Sequence, residues 1–323
     1  MAIRVSDCAH AHTTDIDPEL KLDSKEWDRM ANVCVSRATT AMSRDAPGYS
    51  ELQRHQIGDI FNSMMATHRT IRRVLDAADA IEPETVDVLA LVRLQLEGIY
   101  SVCLMLEDPK YVDHYMQDHW RKQYVGYLII REETRALPRW AEFHMSVDEM
   151  RRLVILRGVL GVSAAQQFTV DFEELGTPIP SGFAAEKIPR FPTPATAIKC
   201  IKAGNRRAML ERLYLKYVEL CSFSHGLGQA NLMKIMFDKR SPYHPHLSEI
   251  EISERYRHDI VSEAYTMSLM GIAQSTAELI SIYPGDLEIL EAPHKAWTQL
   301  AVAHLLTKAV WEIRTRKLLG VIG

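Results

Sequence analysis

The sequence predicts an all-α protein, a multi-helix bundle of about 8–10 helices with one long Pro-rich loop set into it. Three observations carry that prediction. Helix starts and stops recur along the whole length, as capping residues before apolar-periodic runs and Pro or Gly after them. Strand signals are nearly absent: β-branched alternations are few, and no Asn-Gly or Asp-Gly turn separates two apolar runs. The 323 residues are 47 % hydrophobic and 25 % charged, a globular composition with ample material for a core.

The elements follow in order. Residues 1–20 contain two histidines, His10 and His12, but no apolar run, and are expected to form a mobile arm before a domain spanning 21–323. Asp23 and Glu26 have capping-box spacing and open a helix to about Arg44, broken by Ala46-Pro47-Gly48. A long amphipathic segment runs from about Tyr49 to Ala80, and another helix from Glu84 to Glu107, stopped by Asp108-Pro109. Further helices are expected from Tyr111 to Ala136 and, behind the Ser146/Glu149 capping box, to about Thr169.

Residues 171–194 hold five prolines and cannot be helical; a loop of that length suits a lid or binding segment. Thr193-Pro194 then reads as N-cap and first residue of a short helix. A helix from Asn205 to His225, a polar loop with His244-Pro-His246, a helix of over thirty residues capped by Ser248 and Glu251, and a last helix opened by Pro293 complete the chain. One cooperative unit is expected.

Bulk charge and cysteine usage exclude some classes. The net charge of −4 gives no global field for coating nucleic acid. Five scattered cysteines form no C-x-x-C pair, so neither a disulfide framework nor a thiolate zinc site is indicated. No uncharged apolar stretch reaches spanning length, and a reducing cytoplasm without membrane attachment is the expected setting. Phosphate-loop, dinucleotide, nucleophile-elbow and H-E-x-x-H motifs are absent.

The candidate site rests on two segments. Residues 86–106 have apolar side chains on every face, the pattern of a helix buried all round, yet contain Arg93 and Glu97 at i and i+4. Burying such charges is costly unless they are paired, so they either fix helix register or line a polar pocket. In residues 206–228, Tyr214, Tyr217, Cys221 and His225 fall near one helical face, with Ser224 at its edge. The pocket reading assigns acid–base roles to Glu97 and His225, and ligand binding to Arg93, Tyr214, Tyr217 and Ser224. The bland reading makes both segments core packing.

Together these segments resemble a bacterial all-helical family catalogued as a domain of unknown function (number 5677). The shared pattern is Arg93-Leu-Gln-Leu-Glu97, the Asp108-Pro109 stop, and Tyr217 followed by Ser222, Ser224 and His225, across roughly residues 50–230. The resemblance implies a bundle in which these residues converge, and it carries no activity. That family is distantly similar to HEPN-type helical proteins, some of which cut RNA, and this implies a defence- or toxin-like role on RNA. The ribonuclease spacing R-x(4–6)-H is missing on the expected helix, where Arg212 and His225 stand 13 residues apart (225 − 212).

Other constellations are weaker. His114 and Asp118 share a helix face without a matching set elsewhere, and His258-Asp259 lacks the distant Asp of metal phosphohydrolases, so no metal is indicated. His294, Trp297, Ala301 and His304 form a stripe on the last helix, with Trp311 beyond, read chiefly as core. The cofactor is left unknown. The partners this reading admits are RNA or a small anionic ligand, and a second copy in a homodimer. The rival function is a non-enzymatic interaction or scaffold protein whose Arg93–Glu97 pair is purely structural.

Overall fold

The structure, a computed structural model, describes residues 24–44, 48–77, 83–119, 189–225, 257–282 and 287–319, with single residues 122, 248 and 251. The expected arm, the helical stretches expected between 123 and 169, most of the Pro-rich loop and the His244/His246 loop lie outside the described residues. Among the described residues the protein is helical and holds no strand.

The α-helices are α1 (Ser24–Met42), α2 (Glu51–Ala77), α3 (Pro83–Glu107), α4 (Pro194–Cys200), α5 (Gly204–His225), α6 (Glu263–Ile280), α7 (Leu287–Ala303), α8 (Leu305–Val310) and α9 (Arg316–Leu319). Two π-helical turns, π1 (Arg257–Ser262) and π2 (Trp311–Thr315), precede α6 and α9. The chain divides into two compact units: residues 1–47, 57–107 and 194–323 form the larger, and 48–56 with 108–193 the smaller.

The local signals act as the sequence predicts at several ends. Glu251 N–H donates to Ser248 Oγ (3.3 Å) and Ser248 N–H to Glu251 Oε2 (2.7 Å), a closed capping box. Thr193-Pro194 opens α4, and the Asp108-Pro109 step ends α3. In the smaller unit an unforeseen box, Ser50 with Gln53, starts α2 just after Gly48, whose φ of 87° lies in the left-handed region that favours glycine. Gln53 also donates to Asp113 Oδ2 (3.2 Å), tying this segment to helical residues 110–119.

The last helix departs from expectation. Pro293 lies buried inside α7 rather than at its start. The helix then breaks at His304, whose extended backbone and Nδ1, accepting from Leu306 N–H, restart it as α8. A side chain able to cap both interrupts and renews a helix at one residue.

In the larger unit α6 is the central element. Every residue from Ala264 to Ile280 is buried, and the helix packs against α1, α3 and α7. Small residues let the backbones close: a Cβ on Gly271 would sit 3.0 Å from Gln95 Cβ of α3. The helix's buried hydroxyls bond backward, Thr276 Oγ1 to Ile272 O at 2.8 Å and Thr266 Oγ1 to Ser262 O at 2.6 Å. Helix α3 packs against α6, α5 and α4. Among the described residues, α3 over 87–107 has the length and apolarity of a membrane span, but 67 % of that window is buried inside the protein.

The expectation that α3 is buried all round therefore needs correction. Its second half is buried almost completely, but Leu94 is 45 % exposed, and Ala90, Arg93 and Glu97 are half-buried beside it. Composition alone could not separate α3 from α6, because both are apolar on most faces. What differs is how many neighbours each has.

Candidate functional site

Helices α3 and α5 bring most of the predicted site together. Arg93 and Glu97 stand one turn apart on α3, and Arg93 Nη2 donates to Glu97 Oε1 at 2.7 Å. Tyr217 of α5 donates its hydroxyl to the same oxygen at 3.0 Å. The Arg93 guanidinium carbon lies 5.6 Å from the Tyr217 ring centroid, within cation–π range. Tyr214 stacks on Tyr217 at 6.1 Å, and Tyr100 meets it edge-on at 5.9 Å. Tyr100 is anchored by donating to the Leu210 carbonyl at 2.8 Å.

Spacing explains the arrangement. Tyr214 and Tyr217, three residues apart, project from the side of α5 turned to α3, while Arg93, Glu97 and Tyr100 line the facing edge of α3. The array sits at the rim of the bundle, with the Arg93 side chain 16 % and the Glu97 side chain 33 % exposed.

Its electrostatics are settled internally. Burial acts to lower the Arg93 pKa, but the Glu97 carboxylate and Tyr217 outweigh it, so the guanidinium ends above its ordinary value. Burial, with the Cys221 hydrogen bond and the Glu97 charge adding to it, pushes the Tyr217 phenol well up, so it stays protonated and donates. Glu97 already accepts from both. Ser224 and His225 fall on the last turn of α5, but their side chains lie outside the described residues.

The buried charge cluster that the sequence reading sought in α3 is elsewhere. Glu278 of α6 is fully buried and accepts from Arg206 Nε (2.9 Å), Arg314 Nε (2.7 Å), Arg314 Nη2 (2.8 Å) and Gln274 Nε2 (2.9 Å). Arg206 Nη1 continues to Glu107 Oε2 at 2.9 Å, and Arg314 Nη1 to Asn205 Oδ1 at 2.7 Å. Thr315 closes the chain by donating to Gln274 Oε1 at 2.6 Å. Two arginines face two carboxylates, so the cluster is neutral and joins α3, α5, α6 and π2.

Burial would lower the Arg206 pKa, but Glu278 raises it above normal. Beside the cluster, burial and the Glu278 charge hold the Cys103 thiol far above its usual pKa, so it is inert as a nucleophile. The sequence held one signal for this cluster: residues 264–283 form an apolar and small-residue run with Glu278 as its single charge. A lone carboxylate in such a run must find cations.

Two other expectations can be placed. Asp118 is buried, 2.9 Å from Lys122 Nζ, and His114 meets Tyr111 edge-on. Among the described residues no group of three His, Cys, Asp or Glu side chains could hold a metal ion. Trp297 is fully buried, and Trp311 packs on both Trp297 and His294, as the core reading of that stripe holds. The side chains of His258 and Asp259 lie outside the described residues.

Comparison with protein-family models, with curated proteins and with solved structures finds no match to this chain.

Proposed function

We propose that this chain is a non-enzymatic helical interaction protein whose α3–α5 face receives an amphipathic helix of a protein partner. The observation that carries this reading is the set of exposed large apolar side chains on those two helices: Leu94 on α3 and Leu215 and Val218 on α5. Leu215 is 73 % exposed, and Val218 follows it at i+3 on the same side of the helix. Single exposed leucines need no explanation, but apolar residues at helical spacing beside a rigid aromatic–charged array make a recognition surface.

Several features favour this over catalysis at the Arg93–Glu97 array. The Arg93 charge is neutralised by Glu97, leaving little to attract a phosphate or another small anion. Glu97 accepts two hydrogen bonds, and Tyr217 is held protonated, so neither is poised as a base. Stacked, charge-locked side chains of this kind stiffen the ground on which a partner docks.

Photo-crosslinking in cells tests the reading. A photoreactive residue at Leu215 or Leu94 is expected to form adducts at well above the level seen from Ser36, an exposed position on α1. Adduct levels equal to that control would refute a docking face on α3–α5. The adduct mass reports the partner: twice the chain mass for self-association, another value for a different protein.

A further inference from the structure

We propose that the occupant of this face is a second copy of the same chain, with α5 packed antiparallel against α5. The proposal rests on the docking-face reading and adds the partner and its register. Along α5, Gly204, Ala208, Glu211, Leu215 and Val218 recur at alternating spacings of four and three, and all remain accessible to solvent. In a heptad frame Leu215 falls at an a position and Val218 at the following d, the two large apolar side chains of a seam that otherwise holds Gly204, Ala208 and Glu211, the last paired with Arg207 at 3.0 Å. The buried side of α5 is used inside the bundle by Met209, Leu210, Leu213 and Leu220, so the seam is a separate, outward face.

The charges flanking the seam specify the second helix. Arg212 and Glu219 both occupy e positions, and both are exposed, Glu219 also holding Lys216 Nζ at 2.9 Å within its own helix. Among the described residues Arg212 makes no hydrogen bond or ion pair. In an antiparallel pair, a residues of one helix pack on d residues of the other, and e positions face e positions. With Leu215 set against Val218 of the second copy, Arg212 of each helix comes beside Glu219 of the other, giving two attractive pairs by symmetry. A parallel arrangement would instead bring Arg207 beside Arg212 of the second copy, a like-charge contact. The antiparallel orientation is therefore the one that sets opposite charges beside each other. Helix α5, at 22 residues, is about 33 Å long, enough to carry both charge pairs around the central layer.

Sedimentation of the full chain at micromolar concentration tests this. The wild type is expected to be a dimer. Leu215→Glu is expected to be a monomer with unchanged helical circular dichroism, because residue 215 is on the outside of the fold. Arg212→Glu and Glu219→Arg, each turning two attractions into two repulsions, are expected to weaken the dimer about ten- to thirtyfold. The double variant Arg212→Glu/Glu219→Arg should return to within about threefold of wild type. That restoration requires the two residues to meet across the interface, which a merely structural role would not produce. A monomeric wild type overturns the proposal, as does a dimer indifferent to Leu215→Glu or a double variant no tighter than the singles. A monomer that still crosslinks from residue 215 to a different protein would overturn self-association while leaving the docking face intact.

Discussion

Replacing Glu278 by Gln separates a buried charge cluster from a rim pair, and the structure fixes what each should cost. The Glu278 carboxylate takes four donors, three of them guanidinium N–H groups. A glutamine side chain has one acceptor oxygen, and its amide nitrogen would face donors where the second oxygen stood. At least one guanidinium N–H then loses its acceptor, and the neutral cluster acquires a net positive charge around a fully buried side chain. Breaking a buried pair by removing one member costs about 3–5 kcal/mol. Glu97, a third exposed and held by a single ion pair and a phenol, belongs to the other regime, where an exposed pair contributes about 0–1 kcal/mol. Urea unfolding at pH 7, followed by far-ultraviolet circular dichroism, should therefore place Glu278→Gln at least about 2 kcal/mol below Glu97→Gln. Equal costs, or a Glu278→Gln loss under about 1 kcal/mol, would refute the assignment of the cluster as the larger unit's electrostatic fastening.

Two further outcomes follow from the core. His68 is buried, with Nδ1 2.8 Å from Ser268 Oγ, and burial lowers its pKa from 6.5 to about 4; Asp28 opposes the shift while Arg72 and Arg69 add to it. Because the folded value is the lower one, the unfolded chain binds the proton first. This contribution to stability is complete above about pH 6.5 and falls by about 3 kcal/mol as pH drops toward 4. The stability gap between wild type and His68→Gln should shrink by that amount over the same window in urea titrations, and a constant gap would count against a neutral buried imidazole. At the α2–α3 crossing, a Cβ on Gly98 would lie 2.6 Å from Met64 Sδ, so Gly98→Ala should cost about 1–3 kcal/mol. The clash is with a flexible side chain, so Gly98→Ala combined with Met64→Ala should be less destabilised than the two single losses summed. Simple additivity in a double-mutant cycle would show that the backbones, not Met64, set the spacing.

How far the site was legible depends on the residue. Arg93, Glu97, Tyr214 and Tyr217 could be grouped from their spacing, since i, i+3 and i+4 relations are fixed by the helix itself. Their position at the rim could not be read, because nothing within 86–106 says which face a neighbour leaves uncovered. Pro293 misled for a related reason: proline at a helix start is the common case, and only tertiary packing holds it inside α7. The break at His304 carries no proline or glycine, and its capping nitrogen is a role histidine shares with too many others to predict.

The sequence by itself determined that the described residues are helical and where α1 to α5 begin and end. Capping boxes, Asp-Pro and Thr-Pro steps and apolar periodicity act within a few residues, and the same short-range physics operates before any tertiary contact forms. Tertiary structure alone decided which helix is central and which charges are buried. Arg206 reaches Glu278 across 72 positions and Glu107 across 99, and Arg314 reaches Glu278 across 36. No local rule couples residues at such separations. Burial is a property of the neighbours a side chain acquires, so a lone glutamate in an apolar run can announce that it needs cations, and only the folded chain supplies which ones.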